Sequence, residues 1–272
     1  MPILNKDMTL CISLSAQPSN LGTRFHNYLY EELGLNYIYK AFAPANLADA
    51  IAGVRGLGIR GCAVSMPYKE DVIALIDDMD ASASAIDSVN TIVNDDGHLT
   101  AYNTDYSAVQ RLLAEHEVPS AYSVIVRGSG GMAKAVAAAL HDAGFARGTI
   151  VARNESTGRA LAALYGYAWA ADIGALTADL IVNVTPVGMA GGAESDTVSF
   201  PAAAIEAARM VVDVVASPAE TPLILGARAL DKPVITGAEV VALQAEEQFF
   251  LYTGIRPTPD QVRRAAAFSR LP

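Results

Sequence analysis

Cysteine is scarce in this chain of 272 residues, with only Cys11 and Cys62. Each sits inside an apolar, strand-like run. A disulfide-held scaffold is therefore excluded, and both are expected as reduced core residues. Long apolar runs are missing as well. No stretch approaches the ~20 residues that a membrane-spanning helix needs. The opening "MPILNKDMTLC" lacks the charged-then-apolar order of a signal peptide, so a cytoplasmic location is expected. Positive charge is in deficit: 19 Lys and Arg stand against 29 Asp and Glu, a formal net charge of −10. That balance argues against nucleic acid or an anionic membrane surface as partner, since both are polyanions. Any anionic ligand would need locally placed cations. The four histidines, His26, His98, His116 and His141, show no metal-ligating spacing, and no metal is expected.

Apolar residues, by contrast, make up 52 % of the chain, enough to fill one large or two medium domains. Strand-like and helix-like runs alternate. "TLCISLS" (9–15), "YIYKAF" (37–42) and "GCAVSM" (61–66) read as strands. Between the last two, Leu47, Ile51, Val54 and Leu57 fall on one helical face. "TIVNDDGHLTAYN" (91–103) reads as a hairpin around an Asp-Asp-Gly turn. A second series begins near residue 123, with strands in "SVIVRG", "GTIVAR", "ADLIVNV", "MVVDVVA" and "PVITG" and helical stretches between them. Short apolar strands separated by helices imply a parallel sheet covered on both faces. The chain closes with a helix over "AEVVALQAEEQFFLYTG" and another after Thr258-Pro259-Asp260. The expected class is α/β in two domains.

Two places carry chemistry. In "VIVRGSGGMAKAVAAAL" a strand enters a glycine turn and a helix leaves it, which fits G-x-G-x-x-A over Gly128, Ser129, Gly130, Gly131, Met132 and Ala133. The first glycine allows the turn, the second lets a pyrophosphate approach the backbone, and the small Ala133 lets helix and sheet pack closely. The next strand ends in Ala152, Arg153 and Asn154, where an NAD site usually has an acid for the ribose hydroxyls. A guanidinium suits a 2′-phosphate, so NADP is preferred over NAD, with Arg159 a weaker second candidate. The other place is "GCAVSMPYKEDV", which puts Lys69 in the first turn of a helix expected over 72–76. Helix starts favour anions. A structural lysine is ill placed there, whereas one that must give up its proton is well placed. The hairpin brings Asn90 and Asp105 to one open end. If that end faces Lys69, an ammonium, a carboxylate and an amide converge on one hydroxyl.

The pieces "AVSMPYK", "SVNTIV", "YNTDY", "GSGGMAKA", "NVTPVGM" and "TGAEVVALQA" follow one another in the order and spacing of the shikimate dehydrogenase family, which the chain resembles from about residue 9 to its last helices. The resemblance implies reversible reduction of 3-dehydroshikimate with NADPH, in aromatic amino-acid biosynthesis. It implies a substrate domain formed by residues 1–104 plus 240–272, a Rossmann-like domain over 105–239, and a cleft between. It makes Lys69 and Asp105 the catalytic pair and assigns Asn90, Ser65 (usually threonine) and Gln244 to the substrate. Thr185, Val187, Val214 and Gly237 go to the cofactor with the glycine turn.

Departures fall on the substrate side. The family's carboxylate-binding Ser-x-Ser becomes Asn20 and Gly22, leaving Ser19, Asn20, Thr23 and backbone N–H groups to take a carboxylate. Ala63 replaces an asparagine, and Ala216 a common tyrosine. The chain looks closest to the shikimate dehydrogenase-like subgroup, with shikimate or a related cyclic hydroxy acid such as quinate or an amino analogue as substrate. A non-catalytic ligand-sensing relative is the alternative from another class. Monomer and homodimer both stay open.

Overall fold

The computed structural model describes residues 4–271. Residues up to 104 and from 242 onward form one compact unit, and residues 105–241 form the other. In the first unit the chain runs β1 (Thr9–Leu14), α1 (Asn20–Glu32), β2 (Tyr37–Phe42), α2 (Leu47–Gly56), β3 (Gly61–Val64), β4 (Asp78–Met79), α3 (Ala81–Ser84), β5 (Thr91–Asp95) and β6 (His98–Tyr102). The sheet order is β2-β1-β3-β5-β6-β4, with β1 parallel to β2 and β3, and β5 antiparallel to β3 and β6. Alternation along β1 feeds two cores. Ile12 and Leu14 pack with Ile51 and Val54 of α2 and with Ile92 and Leu99. Cys11 points the other way, among Phe25, Leu29, Tyr30 and Tyr39.

The second unit opens with α4 (Thr104–Glu115). It continues through β7 (Val124–Arg127), α5 (Gly131–Asp142), β8 (Gly148–Val151), α6 (Glu155–Leu164), β9 (Ala168–Ala170), β10 (Leu180–Asn183), α7 (Ala202–Ala207), β11 (Met210–Asp213), α8 (Pro222–Arg228) and β12 (Val234–Thr236). All six strands are parallel, in the order β12-β11-β10-β7-β8-β9. Every residue of β10 and β11 is buried, as strands covered on both faces require. α9 (Gly237–Thr253) then leads back to the first unit, where Phe249 and Tyr252 join the Cys11 core, and α10 (Pro259–Ser269) packs on α1. No helix among the described residues is long and apolar enough to cross a membrane.

Three local expectations need correction. Residues 71–75 form a single 3-10 turn, not an α-helix, and Lys69 lies in the turn before it. β4 begins at Asp78, so too few residues remain for α-helical turns, and the helix-dipole argument for Lys69 loses its basis. β4 and β9 are strands that the sequence pattern does not mark. They have two and three residues and sit at sheet edges, where packing rather than an apolar pattern defines them.

The build direction of the parallel strands reverses between β1 and β3 in the first unit, and between β7 and β10 in the second. Ligands of open α/β sheets bind outside the carboxyl ends of the strands at such a reversal.

Candidate active site

In the second unit a cavity of about 760 Å³ opens at that reversal. Gly128 and Ser129 after β7, and Thr185 and Val187 after β10, line it. Ala152, Arg153 and Asn154 after β8 complete the side. Gly128 has φ +132°, and a Cβ there would lie 2.7 Å from Val184 Cγ2, so glycine is required. Ser129 Oγ lies 2.8 Å from Thr157 Oγ1, and the Asn154 side chain caps α6 by accepting from the Thr157 N–H at 3.2 Å. Gly130, Gly131, Met132, Ala133, Val214 and Gly237 lie outside the lining. Gly130 is the N-cap of α5, and Ala133 is fully buried against the sheet. A Cβ on Gly237 would meet Val215 O at 2.3 Å, which makes that glycine a close-packing position. Arg159 is held away from the cavity, paired with Glu155 at 2.7 Å and stacked over Trp169.

Behind Thr185 lies a buried polar chain that sequence reasoning did not single out. The Thr185 hydroxyl donates to Asn183 Oδ1 at 2.6 Å, and Asn183 Nδ2 donates to Asp213 Oδ1 at 3.0 Å. Asp213 also accepts from the Thr221 hydroxyl at 2.6 Å and from the Val215 N–H at 3.0 Å. Burial pushes its carboxyl above the usual range, and these three donors pull against that. The chain ties the loops after β10 and β11 together. The only signal in the sequence was two polar residues, Asn183 and Asp213, ending otherwise apolar strands.

In the first unit, Asn20, Gly22 and Thr23 occupy the first turn of α1, which leaves the carboxyl end of β1. Thr23 Oγ1 is buried and has no hydrogen-bond partner among the described residues, an unusual state that a ligand would relieve. Ser65 follows β3, and its N–H donates to Leu14 O at 2.9 Å, so the ends of β1 and β3 are held side by side. The Lys69 carbonyl accepts from the Val89 N–H at 2.8 Å, and the next residue is Asn90. Asn90 is 1 % exposed, and its Oδ1 accepts from the Thr104 N–H at 2.8 Å and from the Thr91 hydroxyl at 2.8 Å. A backbone N–H can only donate, so the amide orientation is fixed. Nδ2 gives one hydrogen to Thr104 Oγ1 at 3.0 Å, and the other remains for a ligand oxygen. Asp105, itself 6 % exposed, directly follows Thr104 in α4.

Gln244 is half-buried on α9, one turn ahead of Gln248. Gln248 is the residue the sequence did not reveal: it is 3 % exposed and donates to Thr91 Oγ1 at 2.9 Å and to Asn90 O at 3.3 Å. Among the described residues no group of His, Cys, Asp and Glu is arranged to hold a metal ion.

Known proteins match this arrangement. The "Shikimate dehydrogenase substrate binding domain" profile covers residues 18–92. A "Shikimate dehydrogenase-like protein" of Haemophilus influenzae is 55 % identical over 268 residues, 98 % of this chain and 99 % of its own. The chain belongs to the shikimate dehydrogenase family. A solved shikimate 5-dehydrogenase-like protein superposes with a TM-score of 0.96 at 55 % identity, over 99 % of this chain and 100 % of that one. The shikimate 5-dehydrogenase of Thermus thermophilus, solved with NADP(H) and shikimate, gives 0.86 at 30 % identity, over 96 % and 100 %. A quinate dehydrogenase of Corynebacterium glutamicum, solved with NAD, gives 0.85 at 28 % identity, over 96 % and 98 %. Membership in the shikimate dehydrogenase family agrees with the two α/β units and the cavity at the glycine turn.

Proposed function

We propose that this chain is an NADP-dependent dehydrogenase working in the cytoplasm, which moves hydride reversibly between NADP(H) and shikimate/3-dehydroshikimate or a closely related cyclic hydroxy acid. The observation that carries the cofactor is the 760 Å³ cavity at the β7–β10 reversal, with the positive-φ Gly128 and Arg153 in its lining. Those residues fit a dinucleotide: backbone N–H groups at the start of α5 for the pyrophosphate, and a bidentate cation for the 2′-phosphate. Bound there, the nicotinamide would supply the hydride donor or acceptor.

The chain's own residues supply the rest. Asn90, held by Thr91 and Thr104, offers one N–H to a ring hydroxyl. Gln244 lies on the same helix face as the Gln248 that braces Asn90. Ser65, just after β3, and Thr23, in the first turn of α1, offer hydroxyls. Lys69, as ammonium, donates a proton to the ketone oxygen in reduction, and as a neutral amine takes it back in oxidation. Asp105 orients the lysine and the hydroxyl. Support for this pairing is that Lys69 O is bonded to Val89, next to Asn90, and that Asp105 follows the Thr104 to which Asn90 is bonded. Lys69→Ala should lower turnover by roughly 10²- to 10⁴-fold and leave NADP affinity unchanged. Near-normal turnover removes Lys69 from the chemistry.

A second reading, the same reaction on quinate or an amino analogue, is favoured by Asn20 and Gly22 in place of two hydroxyls. Steady-state kinetics over a panel of cyclic hydroxy acids, each with NADP and NAD, decides between them. The absence of turnover with every acid, alongside tight NADP binding, would mark a ligand sensor instead.

A further inference from the structure

Arg127 ends β7, immediately before the glycine turn, where a strand entering such a turn is usually apolar because it is buried on both faces. Its Cα partner across the sheet is Val151 of β8, and Arg153 stands two residues beyond Val151. β8 ends at Val151, so Arg153 lies in the bend that follows it. Both arginines line the same cavity. Arg127 gives one N–H to the Ser199 carbonyl, and its other donors have no protein acceptor among the described residues. Arg153 makes no hydrogen bond or ion pair among the described residues. Ser199 also lines the cavity, and its hydroxyl is buried and has no hydrogen-bond partner among the described residues. Burial and the nearby Arg153 charge depress the Arg127 pKa, and Glu194 opposes this without closing an ion pair. Two like charges thus line one open cavity beside a buried hydroxyl that is unmet among the described residues, an arrangement that an anion would relieve.

Resting on the NADP reading above, we infer that Arg127 is a second specificity determinant for the 2′-phosphate: its guanidinium, from the end of β7, and that of Arg153, from the bend after β8, close on one dianion. Two arms, one ending β7 and one in the bend after β8, would discriminate more strongly than a single arginine.

Adenosine 2′,5′-bisphosphate and adenosine 5′-monophosphate differ only in the 2′-phosphate. Titration calorimetry of the full chain with each, in the absence of substrate, tests the inference. The native chain should bind the bisphosphate more tightly. Arg127→Met should weaken bisphosphate binding by roughly 10- to 100-fold while leaving monophosphate affinity within about twofold, which also shows the pocket intact. Arg127→Lys should fall between, since it keeps the charge but not the fork. Retained discrimination in Arg127→Met overturns the inference alone. An equal loss for both ligands overturns it too, by making Arg127 structural. Equal affinity of the native chain for both overturns the NADP reading and the inference with it.

Discussion

Asp213 is 1 % exposed and accepts from three donors: a threonine hydroxyl, a backbone N–H and an asparagine amide. Removing it would strand all three without water to replace it. Asp213→Ala should therefore cost about 3 kcal/mol of stability or more, seen as a lower urea midpoint, and should loosen the loop that contains Thr185. At this scale the sequence was most legible where chemistry imposes a rare pattern. Gly128 stood out because only glycine tolerates that turn, and Arg153 because an acid was expected in its place. Gln248 stayed hidden because it is one of several polar residues on α9, beside Glu246 and Glu247, and nothing local sets it apart. Its meaning lies in Thr91 and Asn90, more than 150 positions away in the chain.

Among the elements, the start of α1 departs from the pattern that the family resemblance implies. Asn20 and Gly22 stand at the positions of the Ser-x-Ser pair that the family resemblance leads one to expect. A Cβ on Gly22 would meet Tyr39 Oη at 3.5 Å, an ordinary contact, so a serine fits. Restoring both hydroxyls, as Asn20→Ser with Gly22→Ser, should lower KM for shikimate by roughly tenfold, the yield of one or two recovered hydrogen bonds. Removing a helical glycine should also add ~0.5–1 kcal/mol of stability. Steady-state kinetics and thermal unfolding check the two outcomes separately; an unchanged KM would mean that the carboxylate, if there is one, binds elsewhere. Elements with long periodic patterns, such as α2 and the hairpin of β5 and β6, were readable in advance. The 3-10 turn after Lys69 was not, because its shape is set by how soon β4 must begin.

At the scale of the whole molecule, the core of the first unit holds a histidine. His26 is fully buried, stacked on Tyr39 with ring centroids 4.4 Å apart, and burial pushes its pKa down to about 3. Between the ordinary value of 6.5 and that depressed one, the unfolded chain binds a proton that the folded chain does not. Its contribution is complete above pH 6.5 and is lost as pH falls towards 3. The slope is about 1.4 kcal/mol per pH unit. In His26→Phe that share of acid sensitivity should vanish. Urea midpoints between pH 4 and 7 should shift steadily in the variant's favour as the solution is acidified. The alternation of strands and helices made two α/β units legible, since each unit repeats it. What closes the first unit was not legible from the pattern alone, because α9 and α10 carry no mark of the sheet they cover.

That closure has a consequence for birth on the ribosome. Residues 105–241 are contiguous and can fold as soon as they emerge, whereas the aromatic face made by Phe25, Tyr30 and Tyr39 must wait for Phe249 and Tyr252, more than two hundred residues later. At a synthesis rate of ~5–20 residues per second, that leaves a sticky surface uncovered for tens of seconds at the slow end. The nascent N-terminal half is thus the stage of this protein's life most in need of a chaperone.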